Sequence, residues 1–121
     1  MNSSPDPSLD GLFRAISFQI AGIAVSLLAN SANFALILFA DTRGHEIALC
    51  VPIIATALFT FVWGDATLQS QAANIKDASV ATKDSHAYRF ISKQPYSLLR
   101  LMNFILAAAL AASQFSILFS E

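Results

Sequence analysis

Charge is what this chain has least of. Only 12% of its 121 residues are Asp, Glu, Lys or Arg, about half the roughly 25% usual in soluble domains. A soluble domain of this size exposes much of its surface and needs charge to cover it, so the composition argues against one. The net charge of −1 supplies no basic field, and no nucleic acid is expected as a partner. The single cysteine, Cys50, cannot close an intramolecular disulfide, and no Cys-x-x-Cys or Cys/His cluster suggests a metal site. It reads as a small apolar helix residue. Internal repeats, paired broken helices and low-complexity tails are also missing.

Long apolar runs fill the space that charge leaves. Residues 16–40 hold no charged side chain over 25 positions, well beyond what roughly 30 Å of hydrocarbon requires at about 1.5 Å per helical residue. The run is too long, and its start too acidic (Asp6, Asp10), for a cleaved signal, so it is expected to be retained. Asp6 followed by Pro7 fits an N-cap with proline at the first helical position. Two further runs cover residues 47–68 and 97–119. The expected fold is an all-α integral membrane protein of one domain. Three transmembrane helices, at about 12–40, 47–68 and 97–119, form an up-down-up bundle. A connector at 69–96 is partly helical, and no soluble domain is expected after the third span.

The apolar runs carry a polar pattern. On a helical wheel Gln19, Gly22, Ser26, Asn30 and Asn33 share about 80° of arc, opposite Phe18, Val25, Leu28 and Leu36. Amides in hydrocarbon need partners and small residues allow close approach, so this stripe should face other helices. In the second span Leu49, Ile53, Thr56, Thr60, Trp63 and Thr67 form a second stripe, with Trp63 read as an interfacial aromatic. Asn103, Leu110 and Gln114 share a face with Tyr96 in the third. There Ala107/Ala111, Ala108/Ala112 and Ala109/Ser113 are small pairs four apart. The residues expected to make helix-packing or partner contacts are therefore Gln19, Gly22, Ser26, Asn30, Asn33, Thr56, Thr60, Asn103, Ala107 and Gln114. Because three helices bury few side chains, the amides are expected to meet groups on neighbouring subunits.

The connectors give local signals. Gly44, in the short segment 41–46, reads as the terminator of the first helix. The second helix should outrun the bilayer into the aqueous phase, to about Ala81, because residues 69–81 lack Gly and Pro. Asp84 or Ser85 can cap a short helix bearing Tyr88, Phe90 and Ile91 that lies on the membrane surface. Asp65 falls near the far interface, as a solvated acid or a partner for a cation. Six of the seven basic residues sit on the side of the N-terminus and the second connector, with only Arg43 on the other. The expected orientation is N-terminus cytoplasmic and C-terminus opposite.

No catalytic constellation emerges. Lys83-Asp84-Ser85-His86 reads as a solvated loop, and the only glutamates, Glu46 and Glu121, cannot supply paired acids at a membrane edge. Haem would need axial ligands within the spans, whereas His45 and His86 lie in connectors. No cofactor and no enzyme activity are expected. The chain reads as a small accessory or anchor subunit of a larger membrane complex, with the lipid bilayer, other membrane subunits or copies of itself as partners. The alternatives are a homo-oligomeric pore, or a pigment- or quinone-binding subunit in which amides act as ligands.

Overall fold

A computed structural model describes residues 7–120. All five elements are helices: α1 (Pro7–Phe39), α2 (Glu46–Lys76), α3 (Val80–Lys83), α4 (His86–Ser92) and α5 (Tyr96–Leu118), and no strand occurs among the described residues. Helices α1, α2 and α5 are each long and apolar enough to cross a membrane. Asp6 lies outside the described residues, but Pro7 is the first residue of α1. Large apolar side chains such as Leu28, at 71% exposure, remain uncovered on all three long helices. That distribution is the one expected of helices that are hydrophobic all round.

The middle helix organises the bundle. Helix α2 contacts α1 and α5 extensively, and those two touch each other much less. Along the first seam Asn74 meets Gly11, Gln71 meets Gln19, Trp63 meets Phe18, Thr60 meets Ser26 and Thr56 meets Asn33. Along the second, Gln71 meets Tyr96, Asp65 meets Arg100 and Phe61 meets Asn103. One end closes on an apolar cluster of Ile37, Ile53 and Leu118, with Cys50, Ala111 and Phe115 against it. Of the small-residue pairs, only Ala107/Ala111 turns inward; Ala108, Ala109, Ala112 and Ser113 are exposed.

Two boundaries differ from expectation, and at a third the structure selects one of two expected caps. Helix α1 ends at Phe39, short of Gly44, which instead sits inside a turn closed by His45 N–H donating to the Thr42 carbonyl at 2.9 Å. Its φ of +83° is the left-handed value that glycine adopts without penalty. Helix α2 stops at Lys76 rather than near Ala81, because Ser79 offers the backbone an alternative. Its hydroxyl accepts from the Thr82 N–H and starts α3. Ser85, not Asp84, caps α4, accepting from the Tyr88 N–H at 3.1 Å. Asp84 closes α3.

Candidate functional site

The polar side chains of the long helices meet in one internal seam. Pro52 cannot donate its own N–H, but its carbonyl collects two side chains. Thr56 Oγ1 donates to it at 2.7 Å, and Asn33 Nδ2 approaches it at 3.5 Å. Asn33 Nδ2 also donates to Thr56 Oγ1 and to Gln114 Oε1, each at 3.1 Å. Gln114, at 1% exposure, donates in turn to Asn30 Oδ1 at 2.7 Å, and Asn30 donates to the Ser26 carbonyl at 2.8 Å. Thr60 Oγ1 donates to Ser26 Oγ at 3.1 Å. One connected network thus ties α1, α2 and α5 together. No fully buried side-chain nitrogen or oxygen among the described residues lacks a partner.

This placement changes one expectation. The amide nitrogens of Asn30, Asn33, Asn103 and Gln114 all donate within the chain, so each has at least one acceptor without a neighbouring subunit. The stripes on separate helices are complementary halves of one interface, a fact that no single helical wheel displays.

Close backbone approach forms the second motif. Trp63 is turned into the bundle, where its indole N–H donates to the Phe18 carbonyl at 2.7 Å, with the Phe18 and Phe59 rings around it. Phe18 is four residues before Gly22, whose missing Cβ leaves room for the indole; a Cβ there would lie 2.9 Å from Trp63 Cγ and closer still to Cδ1 and Nε1. Trp63 is therefore an interhelical clasp, half-way along the α1–α2 seam between the Gly11–Asn74 contact and the Ile37–Ile53 cluster. The same device recurs at Gly64, against which Asn103 rests while donating to the Phe61 carbonyl at 3.1 Å.

An ion pair and a further polar set lie toward the end bearing most of the basic residues. Arg100 Nε donates to Asp65 Oδ1 at 2.6 Å and Nη2 to Oδ2 at 3.3 Å, a two-pronged geometry suited to arginine and a carboxylate. Gln69 completes the carboxylate's shell at 2.6 Å. Gln71 donates to Gln19, and the Tyr96 hydroxyl donates to the Ile91 carbonyl at 3.0 Å while lying 3.4 Å from Gln71 Oε1. Gln71 and Asn74 were not foreseen as contacts. They continue the stripe Thr60, Trp63, Thr67 at the same spacing, and carrying that period past Leu68 reveals them.

Because α1 and α5 touch so little, a cleft of about 460 Å³ opens between them over the face of α2. Its walls include Ile23, Leu27, Met102 and Leu106, and its polar lining includes Gln19, Ser26, Thr60 and Asn103. A shallower groove of about 520 Å³ lies on the opposite side of the α1–α2 seam, bordered by Arg14, Phe18 and Phe59. His45 and His86 are exposed. No group of three or more His, Cys, Asp or Glu side chains among the described residues could hold a metal ion.

The chain matches no family model, no curated protein and no solved structure. Its own geometry carries the functional reading.

Proposed function

We propose that this is a multi-pass membrane protein serving as a small accessory or anchor subunit of a larger membrane complex. Helices α1, α2 and α5 cross lipid up, down and up. Two observations support that topology: the contact pairs on each seam run in opposite chain directions, and the two connecting segments, 40–45 and 77–95, emerge from opposite ends of α2. The N-terminus and the segment with α3 and α4 face the cytoplasm or its equivalent, because Arg14, Lys76, Lys83, Arg89, Lys93 and Arg100 gather there. Asp65 is the structural partner of Arg100 at that interface.

The uncovered apolar surface of the three long helices carries the subunit reading, and the amide network linking Asn30, Asn33, Thr56 and Gln114 complements it from within. The network commits the polar residues of the spans to holding three helices in one arrangement. That leaves an outer surface of exposed aliphatic and aromatic groups, suited to lipid and to apolar helix contacts. The same inward commitment weighs against a pore, whose wall would need those polar groups after assembly. The test is extraction from the native membrane in mild detergent, followed by particle mass, co-purifying polypeptides and the visible spectrum. A large particle with fixed partners is the expected result. A colourless homo-oligomer that conducts ions in liposomes would overturn the reading.

A further inference from the structure

We infer that the cleft between α1 and α5 is a binding site for a neutral lipid whose headgroup carries a hydroxyl or carbonyl and no phosphate. This rests on the membrane-spanning reading above but not on the subunit reading. The cleft follows α1 from Gln19 to Asn30, eleven residues or about 16 Å of helix. Its volume of about 460 Å³ falls within the roughly 300–1,000 Å³ of small-molecule sites. Its side walls are hydrocarbon: Ile23 and Leu27 on α1, Met102 and Leu106 on α5. All four are more than half exposed, so the cleft opens sideways toward the acyl chains.

Chemical selectivity comes from the polar end. Gln19 uses its carbonyl to accept from Gln71, and Asn103 uses its nitrogen to donate to the Phe61 carbonyl. Gln19 Nε2 and Asn103 Oδ1 have no hydrogen-bond partner among the described residues, and neither atom is fully buried. Gln19 Nε2 is a donor on the level of Gln71 and Asn103 Oδ1 an acceptor on the level of Gly64, about two helical turns deeper, so the donor takes a hydroxyl or carbonyl oxygen and the acceptor a separate hydroxyl. No charged residue lines the cleft. The nearby arginine, Arg100, has Nε and Nη2 engaged with Asp65. A phosphate in the cleft would therefore lose its hydration without a counter-charge.

Depth agrees with this selection. Asn103 lies one helical turn inward of Arg100, and Tyr96 and the Asp65–Arg100 pair mark the rim. A neutral headgroup can sit at that inner level, whereas a phosphate is held further out by its hydration.

The test uses the full chain in phosphatidylcholine nanodiscs doped with diacylglycerol bearing a photoactivatable diazirine in its acyl tail. Phosphatidylglycerol with the same tail serves as the comparison. After illumination, labelled residues are mapped by mass spectrometry. The diacylglycerol probe should label Leu27, Met102 and Leu106 well above Leu28 and Leu101, which lie on outward faces. The phosphatidylglycerol probe should show no such preference. Replacing Gln19 and Asn103 together by Leu should lower cleft labelling about 5–30-fold, the effect of two lost net hydrogen bonds. Leu106→Trp, at an exposed position with no hydrogen-bonding role, should block labelling without touching the polar network. Equal labelling by both probes, or a cleft shielded by a co-purifying helix, would overturn the inference. So would a Leu106→Trp variant that labels normally at Leu27. Labelling nowhere, including Leu28 and Leu101, would instead remove the membrane reading itself.

Discussion

The contact between Gly22 and Trp63 gives a prediction whose sign reverses with one partner. In Gly22→Ala the new methyl would enter the space held by three atoms of the indole ring, so Trp63 must move. Overpacking of this kind costs about 1–3 kcal/mol. Displacing the ring also breaks its hydrogen bond to the Phe18 carbonyl, and interhelical bonds in membranes average about 0.6 kcal/mol. Against this, Ala is better than Gly in a helix by about 1 kcal/mol. The net cost is about 0.6–2.6 kcal/mol, or about 3–80-fold in the folding constant. With Trp63→Ala in place the clash and the bond are both gone, and only the propensity term survives. Gly22→Ala should then stabilise by about 1 kcal/mol. Unfolding by dodecyl sulfate titration, followed by far-ultraviolet dichroism, measures all four proteins. Trp63 is the single tryptophan, so its emission reports ring displacement directly. A Gly22→Ala effect of the same sign and size in both backgrounds would refute the contact.

Three further outcomes are expected. Asn33→Leu and Gln114→Leu should couple by about 0.6–1.7 kcal/mol in a double-mutant cycle, and Asn30→Leu with Asn33→Leu should lower bundle stability without changing particle mass; a smaller particle would return these amides to an intersubunit role. Asp65→Asn should cost about 1 kcal/mol, since the pair is open to solvent on its arginine side, and adding Arg100→Gln should cost little more. Loss of ion flux in liposomes on Asp65→Asn would show instead that this acid works in transport. With Cys50 replaced by Ala, a cysteine at Lys83 should react with impermeant maleimide only from the cytoplasmic side, and one at Ser120 only from the opposite side. Labelling of both from one side would refute the three-span topology.

Much of this molecule is legible one residue at a time. Uninterrupted apolar runs cannot be anything but long helices if they enter lipid, because every backbone N–H and C=O must be bonded within its own segment. The sparse charges bound the apolar runs, although Arg14, Asp65 and Arg100 lie within the helices themselves. Pro7 and Ser85 acted close to their expected helix starts, because caps depend on backbone neighbours only. The arc of Gln19, Gly22, Ser26, Asn30 and Asn33 likewise follows from 3.6 residues per turn and nothing else.

What each arc meets is a different kind of fact. Sequence reasoning sent the amides toward neighbouring subunits, whereas α5 supplies Gln114 to Asn30 and Asn33, more than eighty positions away. Trp63 reads alone as an interfacial aromatic. Only the approach of α1, permitted by the bare backbone at Gly22, turns it inward onto a carbonyl. Asp65 has no visible partner within its own helix beyond Gln69, and Arg100 reaches it across the α2–α5 seam. Periodicity specifies which face a side chain occupies. Which faces meet, and the space left where α1 and α5 part, depend on the mutual packing of three helices, and that is decided only in the tertiary structure.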